Sequence, residues 1–392
     1  MKKPILFLML SALLCSSCKS NTQQTVVELQ ETESAIETSE EPETTSTHSS
    51  HVLVGEILPE GIASQQVYFK KMTVKARDNQ HYSLYLSRIN SHYQPNGSAT
   101  VLINTPTGEP FYLKGEFSDD GKEVTFIDYI NDQKIQLTGT YISSEHFRLN
   151  IDQVLGTNLG TLDFKEVKSN YQLQPSYYYK AEAYTSLDEA YEGSVYKNFT
   201  SSLIINNINF GKGFPAELNT LISTTILKNN YHFTKEFNDF DTLFSFIAPD
   251  LNTVDVVVQP MYFSDELLCV GIEYISYAMG ASHGQYSTNF FNYDLVKQKE
   301  IKLTNLFSTS TLEKITELGS DKFKTKYNRS SADVDNFELP NNFALLQNGI
   351  LFLFQPYEKG SFAQGAMNFF IPYTELPGGV KANQELLRLI EN

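Results

Sequence analysis

Residues 280–303 read GASHGQYSTNFFNYDLVKQKEIKL, and the conformation of this stretch decides the fold of the second half of the chain. Its first five residues fit G-x-S-x-G, the nucleophile elbow of serine hydrolases, with Ser282 as the nucleophile. That elbow requires a helix directly after the serine, whereas the residues from Tyr286 onward alternate with the period of a strand. His283 is the last histidine of the chain, so no later histidine can complete the Ser, Asp, His order of that fold. The stretch is therefore predicted to stay extended within a sheet, without a catalytic serine.

Further strands surround this stretch. Two apolar runs precede it, TVDVVVQPMYFS at 253–264 and ELLCVGIEYISYAM at 266–279. After it, FALLQNGILFLFQPY at 343–357 is a hairpin that turns at Asn348-Gly349, a strong two-residue turn signal. MNFFIPYTEL at 367–376 is the last strand. Because strands follow strands and helices are interspersed singly, residues 171–392 are predicted to form an α+β domain with a mostly antiparallel sheet.

Four helices are predicted in the same domain. GFPAELNTLISTTILKNN at 213–230 is amphipathic, with Pro215 at its first position. The residues expected to share its buried face are Leu218, Leu221, Ile222 and Thr225. FDTLFSFIAPDL at 240–251 is a shorter helix with Asp241 as a possible N-cap. STSTLEKITELGSDKFKTKY at 308–327 and ANQELLRLIEN at 382–392 complete the set.

The first half of the folded chain, residues 52–170, has an all-β pattern. Short alternating runs are separated by turn signals such as QPNGS and SDDGK. The runs are YSLYLSRI, ATVLINT, FYLKGEFS, KEVTFIDYI, KIQLTGTYI, HFRLNID and GTLDFKEV. Even strand lengths joined by short turns predict a meander that closes into a small barrel or sandwich. His81, His92 and His146 lie far apart without a second ligand at metal spacing, so no metal site is predicted.

The N-terminus has the pattern of an export signal. MKK is a short basic segment, PILFLMLSALLC is an apolar segment too short to span a bilayer, and Ser-Ser-Cys18 follows. This resembles a bacterial lipoprotein signal, in which residues 1–17 are removed and Cys18 carries the lipid. Cys15 occupies the position where leucine is usual, so cleavage before Cys15 and an ordinary secretory signal both remain alternatives. Lipidation would anchor the chain to the cell envelope, at the outer membrane or the cell surface.

Residues 18–51 are predicted to be a disordered acidic tether. Ser, Thr, Glu and Gln dominate, no residue is aromatic, and seven glutamates face one lysine. A flexible chain of this length has a root-mean-square reach of roughly 30 Å. The formal net charge of the whole chain is −16, which argues against nucleic acid as a partner and would suit a cationic one. After signal removal Cys269 is the only other cysteine, and its apolar surroundings predict a buried residue without a disulfide.

Two blocks of the chain resemble a bacterial family of unknown function. That family includes the extracellular domain of lysozyme-sensing anti-sigma factors and the accessory domain of some peptidoglycan deacetylases. Block one is GASHGQYSTNFFNYDLVKQKEIKLTNLF and block two is NGILFLFQPYEKGSFAQGAMNFFIPYTEL, within a resemblance over residues 180–380. The matching positions include Gly280, His283, Gly284, Asn292, Asp294, Pro356, Tyr357 and Gly365. Ser282 is inserted relative to the family pattern, and Phe362 stands where tyrosine is usual.

The resemblance implies an α+β domain that binds rather than catalyses, with lysozyme or peptidoglycan as possible ligands. Its motif residues are expected to be mainly structural, and no cofactor is implied. We therefore predict a lipid-anchored envelope binding module that contacts the membrane only through its anchor. Two alternatives remain: an envelope hydrolase that uses Ser282, and a structural protein of envelope assembly.

Overall fold

The computed structural model describes residues 68–390, apart from 92–93, 106–107, 131–132, 152–159, 169–172, 185–198, 229–235, 251 and 331–335. The predicted signal, Cys18 and the tether lie outside these residues, as do His92 and His232. Within the described ranges, no helix combines the length and the apolar character that a membrane crossing needs. The predicted fold class is confirmed, because an antiparallel barrel is followed by a region of sheets and helices.

Eight antiparallel strands form a closed barrel. They are β1 (Tyr68–Lys75), β2 (His81–Ser91), β3 (Gln94–Asn104), β4 (Phe111–Phe117), β5 (Glu123–Ile130), β6 (Gln133–Ser143), β7 (His146–Asn150) and β8 (Thr161–Glu166). Each strand pairs with the next, and β1 closes the barrel by pairing with β8 through Met72 and Thr73. The sequence pattern indicated seven of these strands and missed β1, whose YFKKMTVK places two lysines in succession.

Alternation along the barrel strands places an apolar set inside. Met72, Leu84, Val101, Phe126 and Phe164 are buried there with about a dozen further side chains. The ring of Phe147 lies directly over the backbone of Gly139 on the neighbouring strand, 2.0 Å from where a β-carbon would stand. Glycine is therefore required at position 139 so that this ring can fill the barrel.

The second sheet has six strands in the order β14-β13-β12-β11-β10-β9. They are β9 (Leu173–Tyr184), β10 (Phe199–Phe210), β11 (Asn252–Phe263), β12 (Leu267–Ala278), β13 (Gln285–Asp294) and β14 (Lys299–Glu300). All neighbours are antiparallel except β10 and β11, which run parallel. A parallel pair needs a crossover, and the chain between them contains the helices α1 (Leu218–Lys228) and α2 (Phe240–Ile247).

A three-stranded antiparallel sheet packs beside β13. It contains β15 (Phe343–Leu345), β16 (Gly349–Phe354) and β17 (Met367–Pro372). The helices α3 (Leu303–Leu306) and α4 (Thr309–Tyr327) come between β14 and this sheet, and α5 (Gln384–Ile390) ends the described chain. One large apolar cluster joins both sheets and the helices, including Phe323 of α4, Phe352 of β16 and Leu386 of α5.

Three local predictions were wrong. Pro215 lies before α1 rather than at its first position, because Leu218 is the first helical residue. The buried face of α1 is formed by Leu218, Ile222, Ile226 and Leu227, whereas Leu221 is 38% exposed. The helical period is compatible with both sets of residues, and packing of α1 against the sheet determines that the observed set is buried.

The N-cap of α2 is Asp239, whose carboxylate accepts a hydrogen bond from the Thr242 N–H. Asp241 instead lies in the first turn, where it accepts hydrogen bonds from Lys180 and Tyr178 of β9. Both aspartates lie at the start of the helix. Asp239 is the cap because its backbone is extended, as an N-cap residue requires.

The outer wall of the barrel is covered by the second sheet. Tyr85 of β2 and Leu102 of β3 point away from the barrel interior and belong to the core of the α+β region. The Tyr85 hydroxyl accepts a hydrogen bond of 3.0 Å from the Phe263 N–H. Lys71 reaches across from β1 and donates to the Phe263 carbonyl at 2.8 Å, and burial lowers the pKa of its amine. Barrel and sheet therefore share one apolar interior along this wall.

Candidate functional site

The GASHG motif forms the turn between β12 and β13. Gly280 has a φ of +81°, and the Ala281 N–H donates to the Ala278 carbonyl, which tightens the turn. Gly284 brings its backbone close to β12, since a β-carbon there would lie 3.0 Å from the Ser276 carbonyl oxygen. Ser282 and His283 occupy the exposed tip of this turn.

The second motif block forms the loop after β16, and it is tied to β13. The Gln355 amide donates to the Thr288 carbonyl at 2.6 Å and accepts from the Thr288 N–H at 3.1 Å. Buried Pro356 follows, and then Tyr357 takes the left-handed conformation with a φ of +72°. The Gln355 N–H also donates to the Glu358 carboxylate at 2.7 Å, which holds this bend closed.

Four aromatic rings from the two blocks meet at the surface, and we call this set the aromatic patch: His283, Tyr286, Tyr357 and Phe362. Phe362 is at the centre. The His283 ring stacks on it with centroids 4.0 Å apart and an interplanar angle of 19°. Tyr286 and Tyr357 approach the same ring at 5.4 and 5.6 Å. The patch thus joins positions about 80 residues apart in sequence.

The rings are exposed to different degrees. Tyr357 is 59% exposed and His283 is exposed, whereas Tyr286 and Phe362 are half-buried. Tyr277, which is 43% exposed, stands beside the patch and donates its hydroxyl hydrogen to the Ala281 carbonyl at 3.1 Å. Exposed aromatic clusters are uncommon on soluble proteins and mark interaction surfaces.

Glycine at position 365 is required by the packing of Tyr286. Gly365 has a φ of +73°, and a β-carbon there would lie 2.8 Å from the Tyr286 hydroxyl. A larger residue would strain the backbone and displace that ring. This gives the family-motif glycine a specific role in shaping the patch.

The imidazole of His283 is oriented by its own turn. Its Nδ1 lies 2.9 Å from the Gly284 carbonyl oxygen. A carbonyl oxygen can only accept, so Nδ1 is the donor in this contact. The ring is consequently fixed both by stacking and by this hydrogen bond.

Uncharged polar side chains border the rings. Ser282, Ser361 and Gln364 are exposed next to them in the two loops. The amide oxygen of Gln364 accepts from the Ser361 N–H at 2.9 Å, and this contact closes the short 3₁₀ turn that carries Phe362. The arrangement offers ring faces together with hydroxyl and amide groups.

Asn292, another motif residue, is structural. It lies on β13 and is 2% exposed. Its amide donates to the Phe343 carbonyl at 2.7 Å and its oxygen accepts from the Leu345 N–H at 2.8 Å. The side chain of Asn292 thereby supplies the two hydrogen bonds that strand pairing would otherwise make between β13 and β15.

Asp294 is also structural. Its Oδ1 accepts from the N–H groups of Val296 and Lys297 at 3.0 and 2.8 Å, which forms the turn after β13. Its Oδ2 contacts the Arg388 guanidinium of α5. The Asp294 side chain is 1% exposed, so it pairs a buried negative charge with that helix.

Ser282 is not followed by a helix. β13 begins at Gln285, so the prediction that the chain stays extended after His283 is confirmed. Within the described ranges no hydrogen bond joins the Ser282 hydroxyl to a histidine ring, and the Nδ1 atom of the adjacent His283 contacts the Gly284 carbonyl oxygen instead.

The remaining titratable candidates are dispersed. His81 begins β2 and His146 begins β7, and among the described residues no three His, Cys, Asp or Glu side chains are grouped as metal ligands. Cys269 is buried on β12, and burial raises the pKa of its thiol, which keeps it protonated and unreactive.

Comparison with known protein families supplies one match. Residues 294–374 match the family described as "Protein of unknown function (DUF3298)". This DUF3298 segment contains Asp294, β14 to β17 and the loop with Tyr357 and Phe362, which confirms the resemblance to a family of unknown function. The GASHG turn lies upstream of the matched residues.

Two solved structures are similar to this chain. One is a DUF3298 family protein from Pseudomonas aeruginosa PAO1, with 14% sequence identity, a TM-score of 0.42, and coverage of 53% of this chain and 93% of that one. The other is a member of the DUF3298 family from Bacteroides fragilis NCTC 9343, with 17% identity, a TM-score of 0.42, and coverage of 57% of this chain and 100% of that one. No curated protein sequence matches the chain.

The sequence patterns did not identify Tyr286 as part of a site, and Phe362 stood out only as a departure from the family pattern. Strand alternation was the one available signal. Neighbouring residues of a strand point to opposite faces, so Tyr286 lies on the face of β13 opposite the fully buried Ser287. Nothing in the sequence indicated that the two loops meet.

Proposed function

We propose that this protein is a lipid-anchored binding module of the bacterial cell envelope that does not catalyse, and that its aromatic patch binds the sugar rings of peptidoglycan. One observation carries the proposal: two distant motif blocks converge on Phe362 and present stacked rings to solvent. A surface of aromatic rings and uncharged polar groups favours ligand binding over catalysis.

A sugar ring suits this surface for an electrostatic reason. The face of an aromatic ring carries partial negative charge, and the axial C–H groups of a pyranose carry partial positive charge. Tyr357, with more than half of its surface exposed, can take one sugar face flat against its ring. The hydroxyl groups of Ser282 and Ser361 can then pair with sugar hydroxyls at the rim.

The patch is also preorganised. Phe362 is held by the Ser361–Gln364 turn, His283 by its contact with Gly284, and the loop as a whole by Gln355. Rings that are already ordered lose little conformational entropy on binding. This supports recognition of a ligand whose own contacts are individually weak.

The lack of catalysis is part of the proposal. It is supported by the strand that follows Ser282 and by the dispersion of the histidines in the described ranges. A hydrolase using Ser282 is the competing hypothesis. It predicts esterase activity that disappears in Ser282→Ala. If this activity were measured, the hydrolase hypothesis would be favoured over the binding proposal.

A cationic protein such as lysozyme is a second candidate ligand. The net charge of −16 favours it, because opposite charges accelerate encounter and strengthen binding at low salt. The two ligands differ in one measurable respect. Binding through charge weakens strongly between low and physiological salt, whereas ring stacking on a neutral sugar depends on salt only slightly.

The binding test compares Phe362→Ala with Phe362→Tyr in pull-downs with insoluble peptidoglycan and with lysozyme. We expect Phe362→Ala to weaken peptidoglycan binding about tenfold or more, equivalent to about 1.4 kcal/mol, because it removes the ring on which the others rest. Phe362→Tyr keeps a ring and should retain binding. The matched control is Ile142→Ala, a change at a half-exposed side chain of the barrel.

Equal peptidoglycan binding by the parent chain, Phe362→Ala and Ile142→Ala would contradict the role of the patch. Binding to lysozyme that disappears with salt and is unaffected by Phe362→Ala would favour the second candidate. If the parent chain binds neither peptidoglycan nor lysozyme, both proposed ligands are excluded.

The anchor is tested separately in cells. We expect labelled fatty acid to enter the parent chain and Cys15→Ser but not Cys18→Ser, and Cys18→Ser to leave the membrane fraction, since the thiol is the site of lipid attachment. Label that depends on Cys15 instead would move the anchor to that residue. A chain that takes up no label would be secreted in the ordinary way.

A further inference from the structure

The stretch of chain that contributes His283 and Tyr286 to the aromatic patch has no permanent charge. Residues 274–293, which include the β12–β13 turn, contain no Asp, Glu, Lys or Arg. Histidine is the one side-chain type whose charge ordinarily changes between about pH 5 and pH 8. Within this stretch, a change of charge near neutral pH therefore depends on His283.

The loop on the other side of the patch carries two charged side chains, and both make contacts of their own. The Glu358 carboxylate accepts a hydrogen bond of 2.7 Å from the Gln355 N–H. The Lys359 ammonium lies over the rings of Phe337 and Phe354, at 5.6 and 5.3 Å from their centroids. Both charged groups of this loop are thus engaged in contacts within the protein.

The contacts of the His283 ring are compatible with a positive charge. Its Nδ1 donates to the Gly284 carbonyl, and its face stacks on Phe362 at 4.0 Å. A protonated imidazole keeps that donor and has a second one, and an aromatic ring attracts a cation that lies over its face. The other titratable groups around the ring are the hydroxyls of Tyr277, Tyr286 and Tyr357. Tyrosine hydroxyls ordinarily ionise only near about pH 10, so protonation of His283 is what gives the patch a positive charge.

A positive charge beside exposed ring faces favours a particular kind of sugar. Charge-assisted hydrogen bonds are roughly twice as strong as neutral ones, so a carboxylate on the sugar would be bound best by the imidazolium. The net charge of −16 acts against an anion, but charges farther away than about 8 Å are largely screened at physiological salt. The groups close to the imidazole therefore decide, and residues 274–293 contain no carboxylate.

We propose that His283 makes the aromatic patch selective for a pyranose that carries a carboxylate, and that protonation of the imidazole switches this selectivity on. The inference rests on the proposed function, because it names the class of sugar that the same patch binds. In the glycan of peptidoglycan, a sugar with a carboxylate, N-acetylmuramic acid, alternates with neutral N-acetylglucosamine. The switch would distinguish the two sugars of one polymer.

The test uses two disaccharides that differ by one charge. One is N-acetylglucosaminyl-N-acetylmuramic acid, and the other is the same disaccharide with its lactyl carboxyl converted to the amide. Carboxyl groups ordinarily titrate near about pH 4, so the acid stays charged from pH 8 down to pH 5. Calorimetry at constant ionic strength measures the binding of both to the full chain. The ratio of the two affinities is compared, because it cancels any general loss of binding in a variant.

We expect the parent chain to prefer the acid about two- to fivefold at pH 5, the range for an exposed pair of charges, and to show little preference at pH 8. His283→Gln removes the charge and should show little preference at either pH. His283→Arg introduces a planar group that is always charged, so it should prefer the acid at both. The matched control is His81→Gln, a change at an exposed histidine of the barrel, which should behave as the parent does.

A preference at pH 5 that persists in His283→Gln would overturn the inference, since it would assign the effect to the general loss of negative charge at low pH. Equal binding of acid and amide by the parent at pH 5 would also overturn it and leave the proposed function intact. If the parent binds neither disaccharide at either pH, the proposed function itself is contradicted, together with this inference.

Discussion

Single side chains replace strand pairing along the free edge of β13. β14 covers only the end of this edge, and side-chain amides cover the part beyond it. Asn342 donates to the Thr288 carbonyl at 2.7 Å and accepts from the Phe290 N–H at 2.8 Å. Asn292 bridges in the opposite direction, from its side chain on β13 to the backbone of β15. An exposed edge is a risk for aggregation, and here amides and a second sheet cover it.

We expect Asn292→Ala to lower the free energy of unfolding by about 2–4 kcal/mol, because it leaves a buried carbonyl and a buried N–H without partners. Denaturant titration measures the effect. Asn207→Ala is a suitable comparison, since Asn207 is a half-buried asparagine whose side-chain oxygen accepts from the adjacent Ile208 N–H. A loss at position 292 no larger than at position 207 would show that the bridge is not important.

At the scale of elements, α5 combines two buried leucines with a cluster of charged contacts. Arg388 contacts Asp294, Glu266 and Glu385, and Lys297 donates to Glu385 at 2.5 Å. Hydrogen bonds from Arg388 and Lys297 lower the pKa of the Glu385 carboxyl below its usual value of 4.5. A short helix of seven residues has little intrinsic stability, so these contacts and buried Leu386 and Leu389 determine whether it docks.

The sign of the pH dependence follows from that shift. A carboxyl whose pKa is lowered by folding stabilises the folded state above its unfolded pKa, and the stabilisation is lost as the pH falls through the folded value. We expect Glu385→Gln to destabilise the protein by about 0.5–1 kcal/mol at neutral pH and to make no difference once Glu385 is protonated. Hydrogen exchange of α5, followed from pH 7 downward until the folded-state carboxyl is protonated, measures this.

Glu313→Gln serves as the control for this prediction, because Glu313 is an exposed glutamate on α4. Equal exchange in the two variants at neutral pH would mean that charge does not hold the helix. A difference that persists at the lowest pH of the series, where the Glu385 carboxyl is protonated, would assign the effect to packing instead.

At the scale of the whole molecule, the barrel and the α+β region share one interior. Leu102 is on a barrel strand, but its side chain is 3% exposed within the core of the other region. Lys71, Tyr85 and Thr100 add hydrogen bonds across the same boundary. We infer that the two regions unfold together, although each has its own sheets.

Leu102→Ala tests this inference. We expect a loss of about 2–4 kcal/mol and an equal shift of the unfolding midpoint in both regions, because the cavity lies between them. Hydrogen exchange resolved by peptide follows β5 to β7 and β16 to β17 separately during denaturant titration. Unfolding of the barrel peptides at a different midpoint from the others would contradict a shared transition.

Much of the fold could be predicted from local patterns. Seven barrel strands, the strands from β11 to β13 and the helix at 309–327 were all indicated by period and by turn residues. β1 and β9 were not indicated. YFKKMTVK carries two successive lysines, one of which, Lys71, is half-buried against the α+β region, and no local rule anticipates that. The cap of α2 was misplaced because two aspartates competed for it.

The sequence by itself determined the extended chain after His283 and the alternation in the barrel. It also indicated the hairpin between β15 and β16, but the two turn residues are Gln347 and Asn348, because Gly349 is already part of β16. Those features depend on period and on backbone preference, which act over a few residues. Only the tertiary structure decided which faces are covered, that β10 and β11 run parallel, and that Phe362 meets His283. Such contacts depend on how distant apolar surfaces exclude water together, and this is a property of the assembled chain rather than of any segment.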